Sequence, residues 1–475
     1  MRLLRFLFLR SLLAFSLVVA LSLSPSMITP EGSARGALRQ DDSGPKELEA
    51  FQGYLDPAPD GMDVRYAWTL PGGRGENVRI VDIEFNWNLN HNDLTPALSD
   101  AFLIVRGRDD LPEMNVNHGT AVLGQLIAAP DDIGVTGIAH RAKIGLINPV
   151  NDGTTPRVAD AINRALQHLE PGDVILLEQQ SALGPRFNVT NGRGLLPIEF
   201  EPEVFTAIKS ATQRGIIVIE PAGNGFENLD DPIYDGAFNR TKRDSGAIVV
   251  GAGLPPQGIY GGGPDRVRVE ESNYGSRVDL QGWGRFVTTC GYGDLRREQG
   301  ENNWYTTLFG GTSSASAMVA GAAAVLQSIV KERGLPPLTP ARMRQLLAST
   351  GTLQTGNRNQ NIGPRPNLRA AIEALDSDDP TLPPIITRLS YKQGKGQLVV
   401  DGENFIPRDS IIEIDGVGVA KHKYPAGSIL PNGRTTRILA KKNVSSMIPP
   451  GSDVIVTVLT RSTGERSEAV TFRRN

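Results

Sequence analysis

Short apolar runs alternate with helical patterns along most of the chain. Five of these runs have the length and composition of buried strands. They lie at residues 78–82, 143–147, 174–177, 216–219 and 247–250. Strands that alternate with helices in this way predict a parallel sheet whose two faces are covered by helices. We therefore expect an α/β domain with a doubly wound, mostly parallel sheet.

Apolar residues at helical spacing predict the intervening helices. One run, which begins at Val158 and recurs at i+3, i+4, i+7, i+8 and i+11, ends at Pro171-Gly172. Further helices are predicted at residues 121–129, 202–214, 313–331, 340–348 and 368–375. The helix at 313–331 has Ala, Val and Leu on all sides, so it is expected to be buried.

The pattern changes after residue 380, where short strands follow one another without a helical period. They are predicted at residues 396–401, 411–415, 437–440, 454–460 and 469–472. Turn residues separate them, which is typical of a small β-sandwich. We therefore divide the chain into a signal peptide (1–26), a polar linker (27–49), an α/β domain (50–377) and a C-terminal β-sandwich (378–475).

Composition and charge narrow the functional classes. Of the 475 residues, 39% are hydrophobic, and the net charge is −3. The basic residues do not cluster in a stripe along the sequence, which argues against nucleic-acid binding. Cys290 is the single cysteine, so no intrachain disulfide forms. Arginines followed by a short apolar run at 12–23 are typical of a signal peptide. We expect a secreted, periplasmic or cell-surface protein without a stable membrane span after signal removal; an uncleaved anchor is the alternative.

Three separated residues could together form a nucleophilic site. Asp82 ends a predicted strand, while His118 and Ser313 each lie at a predicted helix start. A serine hydroxyl needs a base in contact, and the base needs an orienting acid. Asn224, which follows another strand, could donate its amide to an oxyanion. The alternative for Ser313 is a capping residue on a buried helix.

Four sequence blocks carry a family resemblance. They are Val78-Arg79-Ile80-Val81-Asp82, His118-Gly119-Thr120, Ala222-Gly223-Asn224 and Gly311-Thr312-Ser313-Ser314-Ala315. In this order they resemble the subtilisin-like (subtilase) serine peptidases. The resemblance implies an exported serine endopeptidase that forms an acyl-enzyme on Ser313, with His118 as general base and Asp82 orienting the imidazole. It also implies that Asn224 and the Ser313 N–H form the oxyanion hole, and that the substrates are polypeptides.

The chain departs from the family pattern at several acidic and amide positions. Glu84 replaces the usual glycine two residues after Asp82, and Glu178-Gln179-Gln180 replaces the usual substrate-binding strand. Glu220 stands near the oxyanion block. Together these glutamates could form an acidic pocket that prefers basic side chains, or shift the pH optimum towards acid. The alternative is that each one bonds to backbone.

No cofactor is required by this chemistry, but structural calcium is possible. The resemblance places Asp131 at a ligand position of the family's calcium loop, and Asp93 is a second candidate ligand, so together they would offer two hard oxygen donors. The last ninety or so residues resemble an IPT/TIG immunoglobulin-like module, which is expected to bind a surface or another protein. Two other functions stay open: a non-catalytic binding or adhesion protein on the same scaffold, and acyl transfer to an amine.

Overall fold

The structure is a computed structural model that describes residues 48–107, 116–150, 155–257, 263–376, 384–428, 435–441, 444–462 and 464–474. The predicted signal peptide, nearly all of the predicted linker and the predicted boundary at 377–378 lie outside these residues. The chain divides into two compact units. The first comprises residues up to 235, 245–340 and 351–369, and the second comprises 236–244, 341–350 and 370–475.

The first unit is built on a seven-stranded sheet in which every neighbouring pair is parallel. Its strands lie in the order β2-β3-β1-β4-β7-β8-β9. They span β1 Arg79–Ile83, β2 Leu103–Val105, β3 Lys143–Ile147, β4 Val174–Leu177, β7 Ile217–Pro221, β8 Ile248–Gly253 and β9 Leu280–Trp283. The five predicted strands and the α/β fold class are confirmed, whereas the edge strands β2 and β9 were not predicted.

Helices cover both faces of this sheet. The helices of the first unit are α1 Val64–Trp68, α2 Thr95–Leu98, α3 Val116–Ile127, α4 Val158–Ala165, α5 Pro202–Gln213 and α6 Gly311–Glu332. Two further helices, α7 Pro340–Thr350 and α8 Leu368–Asp376, lie almost entirely in the second unit. On one face, α4 and α5 form a core cluster that includes Val81 and Ile83 of β1. Because side chains alternate along a strand, Asp82 points to the opposite face. That face packs against α6, which in turn contacts α3.

Helix α6 is the central buried element of the first unit. Within the described residues it is the one helix long and apolar enough to cross a membrane, yet the qualifying stretch is entirely buried in the fold. Its apolar composition is therefore that of a core helix, as the sequence predicts.

Two short antiparallel pairs complete the first unit. One joins β5 Gln180–Ser181 to β6 Leu196–Pro197, and the other joins β10 Val287–Leu295 to β11 Tyr305–Phe309. Neither pair was predicted. Their sequences are short or rich in Gly and Thr, so they lack the long apolar runs that identify the central strands.

The second unit contains two four-stranded antiparallel sheets, in the orders β12-β13-β17-β16 and β15-β14-β18-β19. Residues from both sheets share one core that includes Val400, Ile412 and Val456, so the predicted β-sandwich is present. The elements are β12 Ile385–Lys392, β13 Gln397–Phe405, β14 Ser410–Ile414, β15 Val417–Gly418, β16 His422–Lys423, β17 Thr435–Ala440, α9 Val444–Met447, β18 Asp453–Thr460 and β19 Val470–Arg473.

Candidate active site

The candidate site lies at the carboxyl ends of three neighbouring strands. Glu84 directly follows β1, Glu178 directly follows β4, and Asn224 comes three residues after β7. The pairing of Ile83 with Leu177 brings the two glutamates to the same level of the sheet. His118 in the first turn of α3 and Ser313 in the first turn of α6 complete the group. The carboxyl edge of a parallel sheet is where open α/β folds place their sites.

Glu84 is the carboxylate that contacts the imidazole. Its Oε2 lies 2.5 Å from Nδ1 of His118, and its Oε1 accepts a 2.7 Å hydrogen bond from the Phe85 N–H. The glutamate is only 2% exposed. Burial would lower the pKa of His118, but the adjacent Glu84 carboxylate outweighs it and raises the pKa. The ion pair therefore favours the imidazolium form that general-base catalysis generates.

A glycine makes this contact possible. A Cβ at Gly119 would lie 2.3 Å from the Asn86 carbonyl oxygen and 2.7 Å from Cγ of Glu84. Both distances are shorter than real Cβ contacts. The start of α3 can therefore lie over the carboxylate only because the residue after His118 has no side chain.

Asp82 does not contact the imidazole of His118, contrary to the prediction from the sequence. Its Oδ2 accepts a 2.7 Å hydrogen bond from the indole N–H of Trp87, and its Oδ1 is buried without a hydrogen-bond partner among the described residues. The prediction that Asp82 orients His118 is therefore corrected: Glu84 has that contact. Residues 82 and 84 share a face of the strand, and the more distal, longer side chain reaches the helix.

The protonation of Asp82 follows from this environment. Burial first, and then the negative charge of Glu84, raise the pKa of Asp82 well above its usual range, and the Trp87 hydrogen bond offsets this only in part. Ionisation of both of two adjacent buried carboxyl groups is unfavourable, because the two negative charges repel each other. This environment therefore favours the protonated form of Asp82, and Glu84 is the carboxyl group that pairs with His118.

Asn224 contacts the start of α6 at Thr312, the residue before Ser313. The side-chain oxygen of Asn224 accepts hydrogen bonds from the N–H (2.9 Å) and the hydroxyl (3.1 Å) of Thr312. This fixes the carboxamide and leaves its NH₂ group as a donor without a hydrogen-bond partner among the described residues. Gly311 has φ +76°, and a Cβ there would lie 3.2 Å from the same carboxamide. Glycine is therefore required at this turn. The Ser313 N–H, in the first turn, has no intrahelical acceptor.

Glu178 is a third buried carboxyl in the site. One oxygen lies 2.9 Å from the Ser316 hydroxyl, and the other has no hydrogen-bond partner among the described residues. Donor atoms of Glu84, His118 and Glu178 lie within 4.8 Å of one another, a spacing that a metal ion would also need. Because the short Glu84–His118 hydrogen bond already uses the imidazole, we interpret the cluster as a proton-sharing group.

The predicted acidic substrate pocket is not formed. Glu84, Glu178 and Glu220 are all buried, and Glu220 accepts a hydrogen bond from the Glu199 N–H. The amide of Gln179 donates to the Ile83 carbonyl, and the side chain of Gln180 accepts from the Asn224 N–H. The glutamates are therefore inward-facing. The alternative, that each bonds to backbone, holds for Glu84 and Glu220, whereas Glu178 contacts the Ser316 hydroxyl. Gln180 holds the backbone of Asn224 in place.

The possible calcium loop does not supply a matching ligand set. Asp93 is buried, its Oδ2 accepts from the Val135 N–H, and Cys290 and Tyr305 lie beside it. Burial raises the pKa of Asp93 to about 8. Asp131 is exposed and accepts from the Ile133 N–H. One neutral buried carboxyl beside a thiol does not fit an ion that needs six to eight oxygens.

Comparison with known proteins identifies the family of this chain. The sequence profile of the subtilase family (Peptidase_S8) matches residues 73–364, which is more than half of the chain. The chain belongs to the subtilase family. It is therefore a subtilisin-like serine protease.

Individual relatives of this subtilase are distant. It is 26% identical over 330 residues to the Aeromonas extracellular serine protease of Aeromonas sobria, a match that covers 62% of this chain and 51% of the relative. It is 27% identical over 319 residues to the intracellular serine protease of Paenibacillus polymyxa, covering 64% and 84%. A solved protease from Pseudoalteromonas arctica PAMC 21717 has a TM-score of 0.49 at 19% identity, covering 70% of this chain and 99% of that one. The subtilase spans about half of the length of the Aeromonas relative.

The role of Glu84 is the main feature that sequence reasoning missed. Two signals were present: an acid in place of the usual glycine, and Trp87 five residues after Asp82 with an N–H able to engage that aspartate. In this subtilase the length of the side chain determines which of the two acids reaches His118. This can be judged only when the position of the start of α3 is known.

Proposed function

We propose that this protein hydrolyses peptide bonds with Ser313 as nucleophile, His118 as general base and Glu84 as the carboxylate that orients the imidazole. The hydrogen bond between Glu84 and His118 Nδ1 carries the proposal. It fixes the tautomer that leaves Nε2 free to accept a proton from a serine hydroxyl. Asp82 has a supporting role as a neutral residue held by Trp87.

The reaction follows from these positions. The Ser313 oxygen attacks the carbonyl carbon of the substrate while its proton passes to Nε2 of His118. The imidazolium, stabilised by Glu84, then gives this proton to the leaving amine, and an acyl-enzyme remains. Water attacks the ester in the same manner and releases the acid and free Ser313. Every step uses side chains of this chain, so no cofactor is needed.

The developing oxyanion would be bound by two donors. One is the NH₂ of Asn224, aimed by the Thr312 contacts, and the other is the Ser313 N–H at the positive end of α6. We expect Asn224→Ala to lower kcat by about 10²–10³-fold with little change in KM, the loss typical of removing one such donor and first measured in a subtilisin. Steady-state kinetics on a quenched peptide measure it, and an unchanged kcat would exclude this oxyanion hole.

Covalent labelling tests the proposed nucleophile. A fluorophosphonate probe should label the wild-type protein at Ser313 and should not label Ser313→Ala, and a quenched peptide library should be cleaved only by the wild type. Ser314→Ala is the matched control, because the Ser314 hydroxyl donates to the Trp283 carbonyl and does not face the site. A folded wild-type protein without labelling would favour the non-catalytic binding protein.

We further propose that the protein is exported and that its C-terminal sandwich is an IPT/TIG-like module. The basic and then apolar pattern of residues 2–23 supports export. The two antiparallel sheets with a common core support an immunoglobulin-like module. Binding to a surface or another protein is the role we assign to it.

A further inference from the structure

The Ser316 hydroxyl has two oxygen neighbours and one hydrogen. It lies 2.9 Å from Glu178 Oε1 and 2.9 Å from the Ser313 carbonyl oxygen. A carbonyl oxygen can only accept, and so can an ionised carboxylate. Ser316 can share its one hydrogen between the two oxygens, but each contact has a hydrogen of its own only when Glu178 carries a proton and donates it to Ser316, which then donates to the Ser313 carbonyl. The geometry therefore fits a protonated Glu178.

The surroundings of Glu178 favour the same form. The residue is 5% exposed, and the groups that face it are Asp82 from β1, Glu84 directly after β1, His118 from α3 and Tyr292 from β10. Burial first, and then the negative charge of Glu84, raise its pKa well above the usual range. The hydroxyl groups of Ser316 and Ser313 lie where they would stabilise the ionised form, and this opposes the shift only in part.

We propose that Glu178 is a positioning residue that must be protonated for activity, so that its ionisation switches the site off at alkaline pH. The inference rests on the proposed function, because it assumes that Ser313 transfers its proton to His118. When it is protonated, Glu178 donates to Ser316, and Ser316 donates to the Ser313 carbonyl. These two hydrogen bonds stabilise the first turn of α6. The Ser313 hydroxyl then stays available to the imidazole.

Ionisation would change both hydroxyl groups. The Glu178 proton leaves to solvent, and the carboxylate then accepts hydrogens from Ser316 and from Ser313 through its two oxygens. The Ser313 hydrogen no longer points to His118, and the new negative charge opposes the oxyanion that forms beside it. One proton is lost, so kcat/KM should fall about tenfold per pH unit above the transition.

The test compares Glu178→Gln with the wild type across a pH profile. Glutamine is neutral at every pH, and its NH₂ can donate to Ser316 as the protonated acid does. We expect the variant to be active where the wild type is active, with the ratio of kcat/KM (variant to wild type) rising about tenfold per pH unit along the alkaline limb. Glu220→Gln is the control. Glu220 is a buried acid of β7 that accepts a hydrogen bond from the Glu199 N–H, so this variant should keep the pH profile of the wild type.

Two results would overturn the proposal. A folded Glu178→Gln protein that is inactive at every pH would mean that the ionised form is needed, and an unchanged alkaline limb would mean that Glu178 does not cause it. If the variant does not fold, the rate of fluorophosphonate labelling of the wild type decides instead, since a flat rate up to about pH 10 contradicts the switch. Absence of labelling at all pH values would instead refute the proposed function.

Discussion

Three buried carboxyl groups lie close to one imidazole in this site, and only one of them contacts it directly. Glu84 pairs with His118, whereas Asp82 faces an indole N–H and Glu178 faces a hydroxyl. A single negative charge beside the imidazole is enough to stabilise its cation. Further charges in the same buried volume would repel one another. The chemistry therefore depends on which carboxyl is ionised.

Substitution of the two acids of β1 separates their roles. We expect Glu84→Gln to lower kcat by about 10⁴-fold, because the amide cannot hold the imidazole in the required tautomer. Asp82→Asn, which replaces one neutral group by another of equal size, should change kcat by less than about tenfold. Steady-state kinetics on one peptide substrate measure both, with circular dichroism to verify folding. A larger loss of kcat in Asp82→Asn than in Glu84→Gln would mean that Asp82 orients the imidazole.

Asp82 also makes stability depend on pH. Its pKa is raised in the folded state, so its contribution to stability is fully present below its unfolded pKa, near 4, and is lost as pH rises towards the folded pKa. In that window one such group costs about 1.4 kcal/mol of unfolding free energy per pH unit. Asp82→Asn should therefore flatten the decline of stability as pH rises above the unfolded pKa. Urea unfolding at several pH values measures this, and parallel curves for the two proteins would contradict it.

At the scale of elements, helix starts and strand ends position the site. The helices α3 and α6 each begin above the carboxyl edge of the sheet, and each has a glycine next to its functional residue. Gly119 follows His118, and Gly311 comes two residues before Ser313. In both cases the glycine admits a close approach that a Cβ would prevent.

Gly119→Ala should therefore damage activity more than it damages the fold. The added Cβ would overlap the Asn86 carbonyl and Cγ of Glu84, so the start of α3 must shift away from the carboxylate. A displacement of about 1 Å in a catalytic pair typically costs about 10²-fold in kcat. Gly394→Ala, where a Cβ would have open space, is the control in the same assay. Equal kcat for the two variants would show that the close approach is dispensable.

Sequence patterns predicted the elements that are long or fully apolar, and missed those whose identity depends on partners. β3 and β4 have the predicted bounds, while α4 ends at Ala165 instead of continuing to Leu169. The hairpin of β10 and β11 has no apolar period to identify it. The positions of His118, Ser313 and Asn224 could be predicted because turns and helix starts are local features. The choice between Asp82 and Glu84 depends on contacts with α3 and Trp87, which are not local.

At the scale of the whole molecule, the second compact unit is not a continuous stretch of sequence. Besides residues 370–475 it contains 236–244 and 341–350. Within it, Arg344 contacts both Asp244 and Glu468, and its side chain is only 7% exposed. The sequence analysis divides the chain at residue 377, which would separate these partners.

Truncation after residue 377 should therefore destabilise what remains. It would remove Glu468 and both sheets of the second unit while leaving residues 236–244 and 341–350 in the chain. Arg344 would lose one of its two carboxylate partners, and a poorly exposed cation with fewer partners is costly. We expect the truncated protein to melt several degrees below the full-length chain, since each loss of about 1 kcal/mol lowers Tm by about 1–2 °C in a domain of this size. Glu468→Gln in the full-length chain isolates the ion pair and should lower Tm by less. A truncated protein with the full-length Tm and unchanged labelling of Ser313 would mean that the boundary at 377 divides two independent domains.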